Sequence, residues 1–119
     1  MLSPDRKRIL SQNQNGEYAL YPVDGGAALP AKGIQETDYL AGWSDDSRSV
    51  YVRPNRGGHV EMPVSVVDLT TGIRTAWKTV HPSQPALEVG GLRIAPNGAY
   101  AYNYYVVTSD LFIARGLVN

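Results

Sequence analysis

The sequence predicts an all-β fold, and three observations carry that reading. Short apolar segments alternate with Gly, Pro, Asn and Asp turn chemistry. No window holds apolar residues at i, i+3, i+4 and i+7, so essentially no helix is expected. A polar turn also recurs along the chain. Its clearest setting is Tyr39 to Val80, where four β-type segments and the turns between them make one four-stranded antiparallel sheet. The turn Trp43-Ser44-Asp45-Asp46-Ser47-Arg48-Ser49 follows the first segment, and Val50-Tyr51-Val52 is the second. A Gly-rich loop leads to Val64–Leu69, and Thr70-Thr71-Gly72 turns the chain into Ile73–Val80.

The remaining elements follow in order. Ser3-Pro4-Asp5-Arg6-Lys7 is a turn, Ile9-Leu10-Ser11 a strand, and Gln12–Gly16 a turn whose Gly is free to take positive φ. Tyr18–Val23 is a second strand, with Pro22 placed where no ladder donor is needed. Ala27–Ile34, broken by Pro30, is a weaker third. After Val80, two prolines in His81–Pro85 make a linker. Leu87–Ile94, Tyr100–Tyr104 and Asp110–Arg115 are the closing strands, with Ala95-Pro96-Asn97-Gly98 as the turn between the first two.

Composition excludes several classes. The 119 residues form one domain by default, and a chain of this size buries roughly two thirds of its unfolded surface. Eleven basic residues balance eleven acidic ones, which argues against a generic nucleic-acid binder. Arg6-Lys7-Arg8, the one basic run, is too short for a polybasic lipid site. Without cysteine there is no disulfide and no thiolate metal site. No signal-peptide core and no stretch of membrane-span length is present. The compartment stays open, extracytoplasmic or periplasmic if the chain belongs to a larger parent.

The turn recurs at Ser3, Ser44 and Ala95, offsets of 41 and 51 residues, and Asp24 to Asp68 gives 44. A period of about 40–50 residues with four strands per repeat is the signature of a β-propeller. A lone four-stranded sheet leaves apolar faces that stacked neighbours would cover. The phrases LYPVDGG, WSDDSRSVYV and VVDLTTGIRTAWK resemble the WD-like repeats of TolB-type β-propellers. IAPNGAYAYNY followed by SDLFIARGL is similar to the C-terminal end of propellers attached to bacterial serine/threonine kinases. The resemblance implies three blades, about 1–38, 39–80 and 86–119, the outer two incomplete. It also implies a partial propeller of three, four and three strands. Since propellers typically have about four to eight blades, a homodimer completing a ring, or a longer parent, is expected.

Candidate chemistry is sparse. His59 and His81 lack a ligand-spaced partner, Asp45-Asp46 is expected to cap turn amides, and Glu36 with Asp38 is the other carboxylate pair. No Gly-x-Ser-x-Gly elbow, phosphate cradle or kinase motif occurs, so no catalytic, cofactor or metal site is assigned. Tyr100, Tyr102 and Tyr104 share a strand face, and with Trp43 and Trp77 they are expected to pack between sheets. The Tyr face is weighed as a platform for sugar or single-stranded nucleic acid. Two loops are expected to project from one rim, Arg53–His59 and Tyr104–Thr108. They make Arg53, Arg56, His59 and Tyr105 the candidate interaction residues, Arg and Tyr being favoured at hot spots. The expected function is a non-enzymatic interaction or scaffold module of TolB-like propeller type that meets a protein or peptide. The alternative is the sensor or regulatory propeller of a receptor-type kinase or serine peptidase.

Overall fold

A computed structural model describes residues 1–54, 61–81 and 88–105, with the backbone alone at 88–90, 104 and 105. The described residues form nine strands: β1 (Arg8–Gln12), β2 (Tyr18–Pro22), β3 (Leu29–Pro30), β4 (Asp38–Trp43), β5 (Ser49–Pro54), β6 (Met62–Asp68), β7 (Arg74–Val80), β8 (Glu88–Ile94) and β9 (Tyr100–Tyr105). They make three antiparallel meanders of three, four and two strands, ordered β1-β2-β3, β4-β5-β6-β7 and β8-β9. The expected strand Asp110–Arg115 lies outside the described residues.

Alternation along the central strands supplies two cores. Val50, Val52, Val67 and Leu69 point one way and pack with Leu10, Leu20, Ala31 and Trp43, joining the first sheet to the second. Tyr51, Met62, Val64 and Val80 point the other way and pack with Leu92 and Ile94 of the third sheet. The register explains the sorting, since Val50 pairs with Val67 and Tyr51 with Val66. Strict alternation along β4 would put Leu40 and Trp43 on opposite faces. A bulge between Leu40 and Gly42 returns Trp43 to the face of Leu40, where it is buried. Each fully buried Val or Leu contributes roughly 1.5–3 kcal/mol of transfer free energy.

The recurrent turn is built the same way in the first two copies. Ser3 Oγ donates to Asp5 Oδ1 at 2.6 Å and accepts from the Arg8 amide at 3.1 Å, while Asp5 Oδ1 accepts from the Lys7 amide at 3.0 Å. In the second copy Ser44 Oγ donates to Asp46 Oδ1 at 2.5 Å and accepts from the Ser49 amide at 3.2 Å, while Asp46 Oδ1 accepts from the Arg48 amide at 2.9 Å. Of the side-chain bonds the third copy keeps the amide cap, Ala99 N–H to Asn97 Oδ1 at 3.0 Å, and it retains the backbone bonds of the turn. Arg6 (φ 61°) and Ser47 (φ 59°) take the left-handed conformation that Gly98 (φ 89°) takes in the third. Such a residue costs on the order of 1–3 kcal/mol. At Ser47 cross-copy bonds offset part of that: the Asp5 amide donates to its Oγ at 3.1 Å, and Arg8 Nη2 to its carbonyl at 3.1 Å. One turn therefore sits on the next.

The propeller expectation is corrected here. The strands lie in three separate small sheets, none closed or curled, so neither the TolB-type resemblance nor the partial-propeller fold class stands. The WD-like repeat reading, and with it a scaffold or kinase- or peptidase-linked sensor of propeller type, is withdrawn on the same ground. With no ring to complete, the argument for a second chain that closes one lapses. The physical reason is that the recurrent turn is a local device, made by hydrogen bonds within a few residues. Closure is a property of how whole sheets are inclined to one another, which the turn does not encode. In the first sheet β3 shrinks to two residues, and Leu2, Ile9 and Leu29 are left exposed.

Candidate anion-binding site

Tyr39 of β4 pairs with Arg53 of β5 in the ladder. The Arg53 guanidinium lies over the Tyr39 ring, 4.2 Å from its centroid. From β8 in the third sheet, Arg93 Nη1 donates to Tyr39 Oη at 2.6 Å and to the Leu92 carbonyl at 3.0 Å. Its guanidinium carbon is 5.5 Å from the same ring centroid. Two cations thus flank one aromatic ring at the seam between the second and third sheets.

Arg53 is 8% exposed. Its Nη1 donates to the Pro54 carbonyl at 3.2 Å, while its Nε is buried with no hydrogen-bond partner among the described residues. Burial lowers its pKa from the ordinary arginine value; the Tyr39 hydroxyl opposes that shift and the like charge of Arg93 adds to it. Among the described residues neither arginine forms an ion pair with a carboxylate, whereas Arg48 pairs with Asp68 and Arg74 with Asp38. A cation–π contact is worth roughly 0.5–2 kcal/mol. It leaves the buried donor unsatisfied, and a buried donor without a partner costs about 1–3 kcal/mol. An incoming anion would screen the repulsion between the two cations.

Other charged groups are already engaged. Asp38, with a side chain 4% exposed, takes Arg74 through bonds of 2.6 and 3.2 Å and accepts the Gln35 amide at 2.8 Å. Arg74 Nη2 also reaches the Gly33 carbonyl at 3.0 Å, fastening the β3–β4 connection to β7. A Cβ on Gly33 would lie 2.6 Å from the Gly72 carbonyl oxygen, so that crossing requires glycine. Asp46 caps its turn. His81 is exposed and lies 3.5 Å from Glu61. Among the described residues no group of three His, Cys, Asp or Glu could hold a metal, and no helix is long and apolar enough to cross a membrane.

The expected aromatic packing has a specific form. Trp77 lies 4.7 Å from Tyr51 and 6.1 Å from Tyr100, and Tyr100 stacks on Tyr102 at 6.4 Å. Lys78 covers Trp77 and Tyr100 at 4.4 and 5.0 Å. A bulge opposite Val64 and Ser65 makes Trp77 the extra residue of β7. These rings staple the third sheet to the second, while Trp43 serves the other core.

Of the interaction residues read from sequence, Arg53 belongs to strand β5 rather than to a projecting loop. It sits there because its stem continues the ladder opposite Tyr39. Arg56 and His59 lie outside the described residues. Tyr105 ends β9 opposite Glu88 instead of opening a loop, and its side chain lies outside the described residues. Sequence reasoning missed Tyr39 and Arg93. The hairpin register would have given Tyr39, but Arg93 had no local signal. At the 51-residue offset it aligns with Gly42, so its place at the site depends on how two sheets meet.

Family models, curated proteins and solved structures gave no match to this chain.

Proposed function

We propose that this chain is a non-catalytic binding module for a protein or peptide, which it recognises through an anionic group at Arg53, Tyr39 and Arg93. The observation that carries this reading is the pair of arginines flanking Tyr39, neither of which meets a carboxylate among the described residues. Zero net charge supports a local carboxylate contact over nucleic acid, whose binding requires a basic surplus. Charge-assisted, bidentate geometry is what an arginine fork offers a carboxylate. The test is fluorescence anisotropy with labelled poly-glutamate and, as control, poly-glutamine. Poly-glutamate binding is expected to weaken with salt and to fall by about tenfold or more in Arg93→Gln. Equal binding of both polymers, or of neither, overturns the reading.

A further inference from the structure

From Arg93, which lines it in part, runs an open apolar groove of about 620 Å³. It is bordered by Met1, Ala41 and Gly42 on one side and by Ile94, Ala99 and Ala101 on the other. Its floor is where β4 and β8 meet. A Cβ on Gly42 would stand 2.0 Å from the Ile94 carbonyl oxygen, so backbone lies directly against backbone there. Alanine and glycine make up much of the walls, with Met1, Ile94 and Tyr100 larger and Arg93 supplying the one charged side chain.

We infer that groove and arginine cluster form one continuous site for an extended peptide bearing a carboxylate side chain followed by apolar residues. The inference rests on the anionic-partner reading and adds to it the second half of the ligand. Three features point to that occupant. The charged end of the groove is cationic, with no carboxylate paired to it among the described residues, so the complementary end of the ligand is acidic. The longer side chains are those of Met1, Arg93, Ile94 and Tyr100, and the alanine and glycine positions between them leave width for branched aliphatic residues on the ligand. Arg93 belongs to both halves, since it lines the groove and bonds to Tyr39, and so it fixes the distance between carboxylate and apolar body. Apolar contact would supply affinity roughly in proportion to buried area, and the arginine pair would set register and polarity.

The experiment uses the full chain and a fluorescein-labelled, C-terminally amidated peptide, Gly-Glu-Leu-Val-Leu-Gly, read by anisotropy. Two companion peptides replace Glu by Gln, or the three aliphatic residues by Ser. Each replacement is expected to weaken binding by about tenfold or more. Ala101→Glu, at an exposed strand position, is expected to reduce binding of the parent peptide comparably while leaving the circular dichroism spectrum unchanged. If the Ser peptide binds as well as the parent, or Ala101→Glu binds normally, the groove is overturned and the anionic reading stands. Should the Gln peptide match the parent, the carboxylate requirement falls, and both readings fall with it. If none of the three binds while poly-glutamate does, only the groove fails.

Discussion

The central sheet, β4 to β7, and the first sheet, β1 to β3, contain similar strands and nearly identical turns, yet they are built into the molecule differently. The central sheet is covered on both faces, each of which feeds a separate core. The first sheet is covered on one. Leu10 and Leu20 face the core, while Ile9, on the opposite face of β1, is 40% exposed. The difference shows that a recurrent turn sets how a sheet starts but not how it is covered. Position in the stack decides which apolar residues carry stability.

The largest effect that tests this contrast is expected from Trp43→Ala. It removes a ring that is 4% exposed and lies between the first and second sheets, at a cost of about 3–5 kcal/mol. Its counterpart Ile9→Ser, on the uncovered face, is expected to change stability by no more than about 0.5 kcal/mol. Urea unfolding of both variants measures the difference. Comparable losses would mean that the outer face of the first sheet is also covered.

A middle-sized effect is expected at the other seam. Gly42→Ala would force apart β4 and β8, at a cost of about 1–3 kcal/mol. Hydrogen exchange should localise the change: amides of β8 and β9 lose protection, and those of β1 and β2 keep theirs. Uniform loss would show that the three sheets open as one unit.

The smallest effect concerns the turns and follows pH. The Ser44 hydroxyl, with the Arg48 amide, holds Asp46 below the ordinary carboxylate value, and Ser3 with the Lys7 amide does the same for Asp5. A carboxylate depressed by folding adds stability above its unfolded pKa, and that contribution is lost as pH falls through the lower folded value. The first two turns should therefore loosen below the ordinary aspartate range, while the Asn97 turn should not respond. NMR titration of the carboxyl carbons checks this. In Ser44→Ala, Asp46 should move back toward the ordinary value with Asp5 unchanged. A matching shift in both would mean that the turns titrate as a coupled pair.

How much could be read in advance differs between parts of the chain. Strands β1, β2 and β4 to β9 fall on segments whose alternation is local, so the sequence displays them. The capping role of Asp46 was legible for the same reason, because its partners lie within a few residues. The β4 bulge was not, since alternation alone places Trp43 on the wrong side. Arg53 reads from the sequence as a loop residue beside a Gly-rich stretch, because burial against Tyr39 depends on pairing. Arg93 carried no signal at all.

The sequence by itself determined the all-β class, the meander order within each sheet and the chemistry of the recurrent turn. Each of these rests on alternation and on hydrogen bonds that span only a few residues. Only the tertiary structure decided that the sheets stay separate instead of curling into a ring, and that two arginines 40 residues apart meet over one tyrosine. Both outcomes depend on the approach of one sheet to another. That approach is set by summed side-chain packing and by backbone contacts such as Gly42 against Ile94, which no short stretch of sequence displays.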